Sequence, residues 1–322
     1  MDTLAALRRI ALAAALIAPA LAPAAAQEPE RFATGDLDAL RAEALAEANA
    51  DRREAGLAPL EPGSVLDEIA QAHARDMLAR GYFGHVSPEG EGAGERFRAA
   101  GGSRSAVAAE NLATCTGCPI PPTPARVEAF QAGLMDSPEH RENLLGRGID
   151  RFGYGIAGDP ESGRTVAVQT FAGPGVPRGL AAGEEPEPLD EAARPDAAAL
   201  SEVNRVREAA QVVPLQASES LTQAARAMLP EGGASPDAPA LDLDAALPRE
   251  ARADFGAVAV LAGTCTGCGA VPTRTDIADF VAQWAETRRS QLAAPRFDRI
   301  GFALGADGEG AKTAILVLAE SR

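Results

Sequence analysis

The chain has 322 residues, enough for two domains of ordinary size, with 46% hydrophobic and only 4% aromatic residues and a formal net charge of −16. A surface that acidic repels phosphate backbones and anionic lipid, which argues against nucleic-acid binding. It also keeps an exported protein in solution without encoding any partner, and the near-absence of lysine (Lys312 alone) against abundant arginine reads as the codon bias of a GC-rich bacterial genome.

In chain order, the first segment is "LRRIALAAALIAPALAPAAAQ", with Arg8 and Arg9 ahead of an apolar run that ends in Ala24-Ala25-Ala26. This is the pattern of a signal peptide over residues 1–26, and the run, broken by Pro19 and Pro23, is short for a membrane span. The expectation is a secreted or periplasmic protein with no transmembrane segment once the signal is removed. The stretch "GDLDALRAEALAEANADRREAG" predicts a helix beginning near Asp36 and stopped by Gly56. "SVLDEIAQAHARDMLARG" predicts a second, with Ser64 and Asp67 at capping-box spacing and Leu66, Ile69, Ala70, His73 and Met77 on one face. A third starts near Pro124, and two strands, "RFGYGIAG" and "TVAVQTFAG", follow around the turn "DPESG".

The pattern then repeats. "NADRREAGLAPL" at 49–60 aligns with "NRVREAAQVVPL" at 204–215, "TCTGCPIPPTPARVEAF" with "TCTGCGAVPTRTDIADF", and "IDRFGYGIAGD" with "FDRIGFALGAD", at offsets of 155, 150 and 148 residues. Between the copies, 179–196 is rich in Gly, Pro and acid and reads as an extended linker. The expected organisation is a signal peptide at 1–26, a first domain at 36–178, a linker at 179–196 and a second domain at 197–322. Helices flanking an antiparallel sheet place each domain in the α+β class.

All four cysteines lie in the two TCTGC runs, as Cys115, Cys118, Cys265 and Cys268. Such pairs can close as local disulfides, share a Cys₄ zinc site across the copies, or act as redox pairs. Export favours local disulfides, and no thioredoxin-like βαβ pattern surrounds either run.

From 36 to 173 the motifs "AHARDM", "GYFGHVSPEG", "AENLA", "SPEHRENLL" and "GYGIA" resemble, in order and spacing, the CAP superfamily, which groups cysteine-rich secretory proteins, antigen 5 and pathogenesis-related protein 1. The resemblance implies a three-layer α–β–α sandwich, here duplicated in tandem, and a cavity lined by two histidines and two glutamates that binds a divalent cation in several members. Residue by residue it points to His85, Glu110 and His140 as ligands of zinc or another weakly bound divalent cation. Ser137 stands where the family has its second glutamate, and Leu134 where it has a tryptophan. Two imidazoles and a carboxylate suit Zn²⁺ with an open coordination position. Equally, the three groups can hydrogen-bond one another and order their loops without metal. His73, on the apolar stripe of its helix, reads as a satisfied core histidine.

The second copy has no histidine: Glu110 corresponds to Val260, Asn111 to Leu261, and His140 falls near Arg288. It reads as a degenerate CAP-like domain kept for packing or partner binding, with Trp284 as a core anchor. The expected function is an exported binding or interaction protein whose ligand is an extracellular or envelope partner, a lipid or a small apolar molecule. The alternatives are a metal-dependent, peptidase-like hydrolase using His85, Glu110 and His140, with Ser137 as a conceivable nucleophile, and a purely structural envelope protein.

Overall fold

The computed structural model describes residues 31–180, 184–189 and 194–322, so the signal peptide expected at 1–26 and parts of the linker expected at 179–196 lie outside the described residues. The first half runs α1 (Leu37–Glu54), β1 (Glu61–Pro62), α2 (Ser64–Arg80), α3 (Ala93–Ala99), β2 (Val107–Thr116), α4 (Pro124–Asp136), α5 (Pro138–Leu144), β3 (Arg151–Asp159) and β4 (Arg164–Gly173). The second half runs α6 (Pro195–Ala209), β5 (Gln216–Ala217), α7 (Glu219–Ala227), α8 (Leu243–Ala246), a 3₁₀ turn (Ala251–Asp254), β6 (Phe255–Cys265), α9 (Arg274–Thr287), α10 (Arg289–Leu292), β7 (Arg299–Ala306) and β8 (Lys312–Ser321).

The two sheets have the same strand order, β1-β3-β4-β2 and β5-β7-β8-β6. Each is antiparallel except for the two-residue strand at one edge, which pairs parallel with its neighbour and has no periodicity to announce it. The opposite edge is formed by β2 in one half and β6 in the other. In the first half α2 covers one face while α1 and α4 cover the other, which gives the α–β–α layering. The second half places α7 on one face and α6 with α9 on the other.

Local chemistry explains the boundaries. Asp36 caps α1 by accepting the Ala39 amide, as its position suggests. The expected capping box on α2 does not form: Ser64 is already the first helical residue, and the Asp67 carboxylate instead accepts the Tyr154 amide across the layer at 2.8 Å. The helix ends at Gly81, whose φ of 70° few other residues adopt without strain.

The alternating glycines of β3 let α2 lie directly on the sheet. A Cβ on Gly155 would stand 2.2 Å from the Gln71 amide nitrogen, and one on Gly153 would stand 2.3 Å from the Leu66 carbonyl carbon. Both neighbours are helix backbone and cannot turn aside. Gly155→Ala is therefore expected to destabilise the protein by about 2–3 kcal/mol through overpacking, read as a shift of the urea midpoint at unchanged m-value.

The repeated Asn and Arg of α1 and α6 have one structural job. Asn49 and Asn204 each exchange two hydrogen bonds with the backbone of a residue eleven positions on, Leu60 and Leu215. Arg52 and Arg207, 2% and 0% exposed, are buried and pair with no carboxylate among the described residues. Arg52 donates to the carbonyls of Ala58, Leu144 and Gly146, and Arg207 to those of Val213, Leu292, Ala294 and Phe297.

Both disulfides are local, Cys115–Cys118 and Cys265–Cys268, and among the described residues no cysteine is free. The first loop is partly exposed, whereas the second is buried where the halves meet. There Gly267 donates its amide to the Ser105 carbonyl and Gly269 to that of Pro174, and Gly175 bridges Cys268. The described part of the linker is also docked: Leu189 donates to the Pro272 carbonyl, and Arg147 binds the Glu184 carbonyl and the Glu185 carboxylate. Residues from Phe32 to Arg322 thus form one compact unit. Trp284 is a core anchor as expected, 3% exposed with its ring 6.0 Å from that of Phe280. The single lysine is fully buried and pairs with Asp276, an ion pair that nothing in the local sequence marks.

Candidate functional site

The candidate residues gather at the open edge of β2. Strand alternation sends Glu110 to the α2 face and Asn111 to the opposite one. Glu110 is not in a loop; it sits in the middle of β2, 5% exposed, paired across the ladder with Thr170. His85 lies in the loop between α2 and α3, and its Nδ1 is 2.9 Å from Glu110 Oε1. His140 is on α5, whose first helical residue is Pro138. The His140 carbonyl accepts from the Asn111 side chain at 3.0 Å.

Two further residues complete the cluster. Arg96 of α3 donates to Glu110 Oε2 at 2.7 Å and to the His85 carbonyl at 3.0 Å, so it clamps both the carboxylate and the loop. His73 is buried in the core, as its stripe position suggests, yet its Nε2 lies 3.7 Å from Glu110 Oε1 and 3.1 Å from the Gly84 carbonyl. The Gly84 contact places the proton on Nε2, which leaves Nδ1 to face the Tyr82 hydroxyl at 3.4 Å. Tyr82 donates its own proton to Asp76 at 2.6 Å; burial first, then that hydrogen bond, pushes its pKa up to about 12. The helical periodicity of α2 already placed His73 on its inner face; no sequence signal marked Arg96.

Behind the sheet a second polar chain holds α5 to the edge. Gln131 donates to Asp51 at 2.5 Å, Gln169 to Gln131 at 2.6 Å, and Asn111 to Gln169 at 3.2 Å. Asn143 closes the chain, donating to the Asn111 side chain at 3.0 Å and to the Glu110 carbonyl at 3.2 Å. In the second half the positions equivalent to Asp51, Gln131, Gln169 and Asn111 are Val206, Val281, Leu316 and Leu261, all apolar, and Gln291 stands in the place of Asn143. A half-satisfied buried network is worse than none, which fits these four positions being apolar together.

Ser137 joins neither set. It caps the end of α4 through its amide, and no side-chain hydrogen bond links it to His140. A Ser–His–Glu relay is therefore not assembled.

The three expected cation ligands do not form one donor set. Both oxygens of Glu110 are engaged, one by His85 and one by the Arg96 guanidinium, which cancels the charge a cation would need. Among the described residues no group of three or more His, Cys, Asp or Glu side chains is arranged to hold a metal ion. What remains is the far nitrogen of His85, whose side chain is 52% exposed, and the His140 ring, a pair short of a closed site.

Residues 45–171 match the model of the CAP family, described as the cysteine-rich secretory protein family. This segment is a CAP domain. Over 125 residues, 39% of this chain, it is 31% identical to the uncharacterised protein YkwD of Bacillus subtilis (strain 168), and the match spans 44% of that protein's length. Among solved structures, an extracellular SCP-domain protein of Bacillus anthracis is 25% identical over 42% of this chain and 40% of its own, with a TM-score of 0.34. A cysteine-rich secretory protein of Staphylococcus aureus is 16% identical over 56% of this chain and 60% of its own, with a TM-score of 0.32. The chain thus spans less than half the length of the first two.

The electrostatics of the CAP domain predict an acid response. Burial lowers the pKa of His73, with nearby Arg96 adding to the effect; burial and then the neighbouring His85 lower that of His140. A depressed imidazole binds its proton more readily in the unfolded chain, so stability falls as pH drops below the unfolded value of about 6.5. Thermal midpoints measured between pH 7 and 5 are expected to decline, with a shallower slope in His73→Gln; equal slopes would remove the histidine from the account.

Proposed function

We propose that the protein is an exported binding module whose CAP domain presents the β2 edge, with His85 and His140 at its mouth, as a recognition site that responds weakly to divalent cations. Supporting export are the signal-like residues 1–26 and the paired cysteines; among the described residues no helix is long and apolar enough to cross a membrane.

The observation that carries the reading is the engagement of Glu110. Its carboxylate holds Nδ1 of His85, which leaves the opposite ring nitrogen of a half-exposed imidazole available to a ligand. Exposed Phe83 and Val86 flank that imidazole, with the Arg164 guanidinium 5.4 Å from the Phe83 ring centre. A polar centre with an apolar rim suits a small amphipathic partner. Catalysis is poorly supported, because Glu110 is neutralised by Arg96 and the Ser137 side chain makes no hydrogen bond to a base among the described residues.

Titration of the purified protein with Zn²⁺ in a calorimeter tests the cation part. Saturable binding with a Kd of about 10 μM or weaker is expected, lost in His85→Ala and in His140→Ala. No heat up to millimolar zinc, or binding indifferent to both substitutions, would overturn it.

A further inference from the structure

The second half has no histidine and carries a groove of its own. Along the outer edge of β6 runs a depression of about 570 Å³, floored by residues 260–264 and walled by Pro239 and Leu241 on one side and by Trp284 of α9 and Arg288 at its C-cap on the other. It occupies the place that the His85–Glu110–His140 cluster occupies on β2. The chemistry is inverted: Val260 stands for Glu110 and Leu261 for Asn111.

The backbone of that edge is open. In the first half the Glu110 carbonyl points away from β4, since Asn143 donates to it from outside. The two ladders share their register, Glu110 facing Thr170 and Val260 facing Val317, and β6 is regular from Val258 onward. Alternation then turns the amides and carbonyls of Val258, Val260, Ala262 and Thr264 outward. Among the described residues no hydrogen bond from outside the sheet reaches any of these four backbones. The plug is missing too, because seven-residue α5 is matched by four-residue α10, and Gln291 in the place of Asn143 makes no such bond.

Charge completes the picture. Arg288 and Arg289 are exposed at the end of α9 and form no ion pair among the described residues, in a chain of net charge −16. Arg288 has only the adjacent Thr287 carbonyl, at 3.2 Å. An unopposed Arg288 guanidinium lining a groove of mixed polarity, with apolar Pro239, Leu241, Val260 and Trp284 beside a bare strand edge, is complementary to one kind of ligand. We infer that the β6 edge binds an extended, apolar peptide as an added strand, with the peptide's terminal carboxylate against Arg288. Main-chain bonds supply the affinity and the guanidinium fixes the direction, as in other strand-addition grooves. The inference concerns the second half alone and stands apart from the function proposed for the CAP domain.

The test uses the full chain and a fluorescein-labelled peptide, Val-Thr-Val-Thr-Val with a free carboxylate. Anisotropy reports binding, and the emission of Trp284, the only tryptophan and part of the groove wall, reports its place. Saturable binding with altered Trp284 emission is expected. It should weaken at least tenfold for the carboxamide peptide and for Arg288→Glu, and vanish when alternate peptide nitrogens are methylated. Arg288→Glu lies on an exposed helix end, and its circular dichroism serves as the folding control. Absence of saturation at millimolar peptide overturns the proposal, as does equal binding of the acid, amide and N-methylated forms. A concentration-dependent dimer that buries the β6 edge and excludes the peptide overturns it as well.

Discussion

Glu110→Ala is expected to cost about 3–5 kcal/mol, because it leaves the Arg96 guanidinium largely buried without its counter-charge. The same change frees His85 Nδ1 and removes the acceptor opposite His73. Urea unfolding measures the loss, and Glu110→Gln separates its causes: the amide oxygen still accepts one hydrogen bond, so the cost should fall to about 1–2 kcal/mol. If Glu110→Ala changes stability by less than 1 kcal/mol, Glu110 is not the hub of the cluster and the site must be centred elsewhere.

Arg207→Met is expected to be as severe. The methionine fills much of the same space but strips donors from four backbone carbonyls, at Val213, Leu292, Ala294 and Phe297. Each acceptor left dry costs about 1–3 kcal/mol, and partial hydration of the loop brings the expected sum to about 4 kcal/mol. Burial lowers the pKa of Arg207, but a guanidinium stays charged at any working pH, so acid or base cannot relieve the site. Arg207→Lys should not rescue the loss, since one ammonium cannot reach carbonyls spread around a planar fork. Chemical denaturation of both variants checks this, and full rescue by lysine would refute the account.

Much of this was legible before any coordinates. The helices of residues 37–54, 64–80 and 124–136 and the two hairpins follow from periodicity, turn chemistry and the repeat. The motifs at His85, Glu110 and His140 fall together at the β2 edge of the first sheet. Three things were not legible. The parallel strands Glu61–Pro62 and Gln216–Ala217 are too short to show alternation. Strand β2 had no prior expectation, because "VAAENLATCT" mixes small and polar residues that only the sheet context sorts onto two faces. Arg96 acts through a contact fourteen residues away in sequence, and surface arginines are common enough here that none stands out. Asp67 shows the reverse error: local capping chemistry was available, and a bond to β3 across the layer won.

The second disulfide loop, seated on the carbonyls of Ser105 and Pro174, has a thermodynamic consequence. If the seam is lost only when either half opens, the halves melt together in one cooperative step. Ligand free energy spent at one groove then protects residues at the other, by RT ln(1 + [L]/Kd) whichever groove is filled. Occupancy of the β6 edge would thus be written into the protection of amides around Glu110, with no change of shape passing between them.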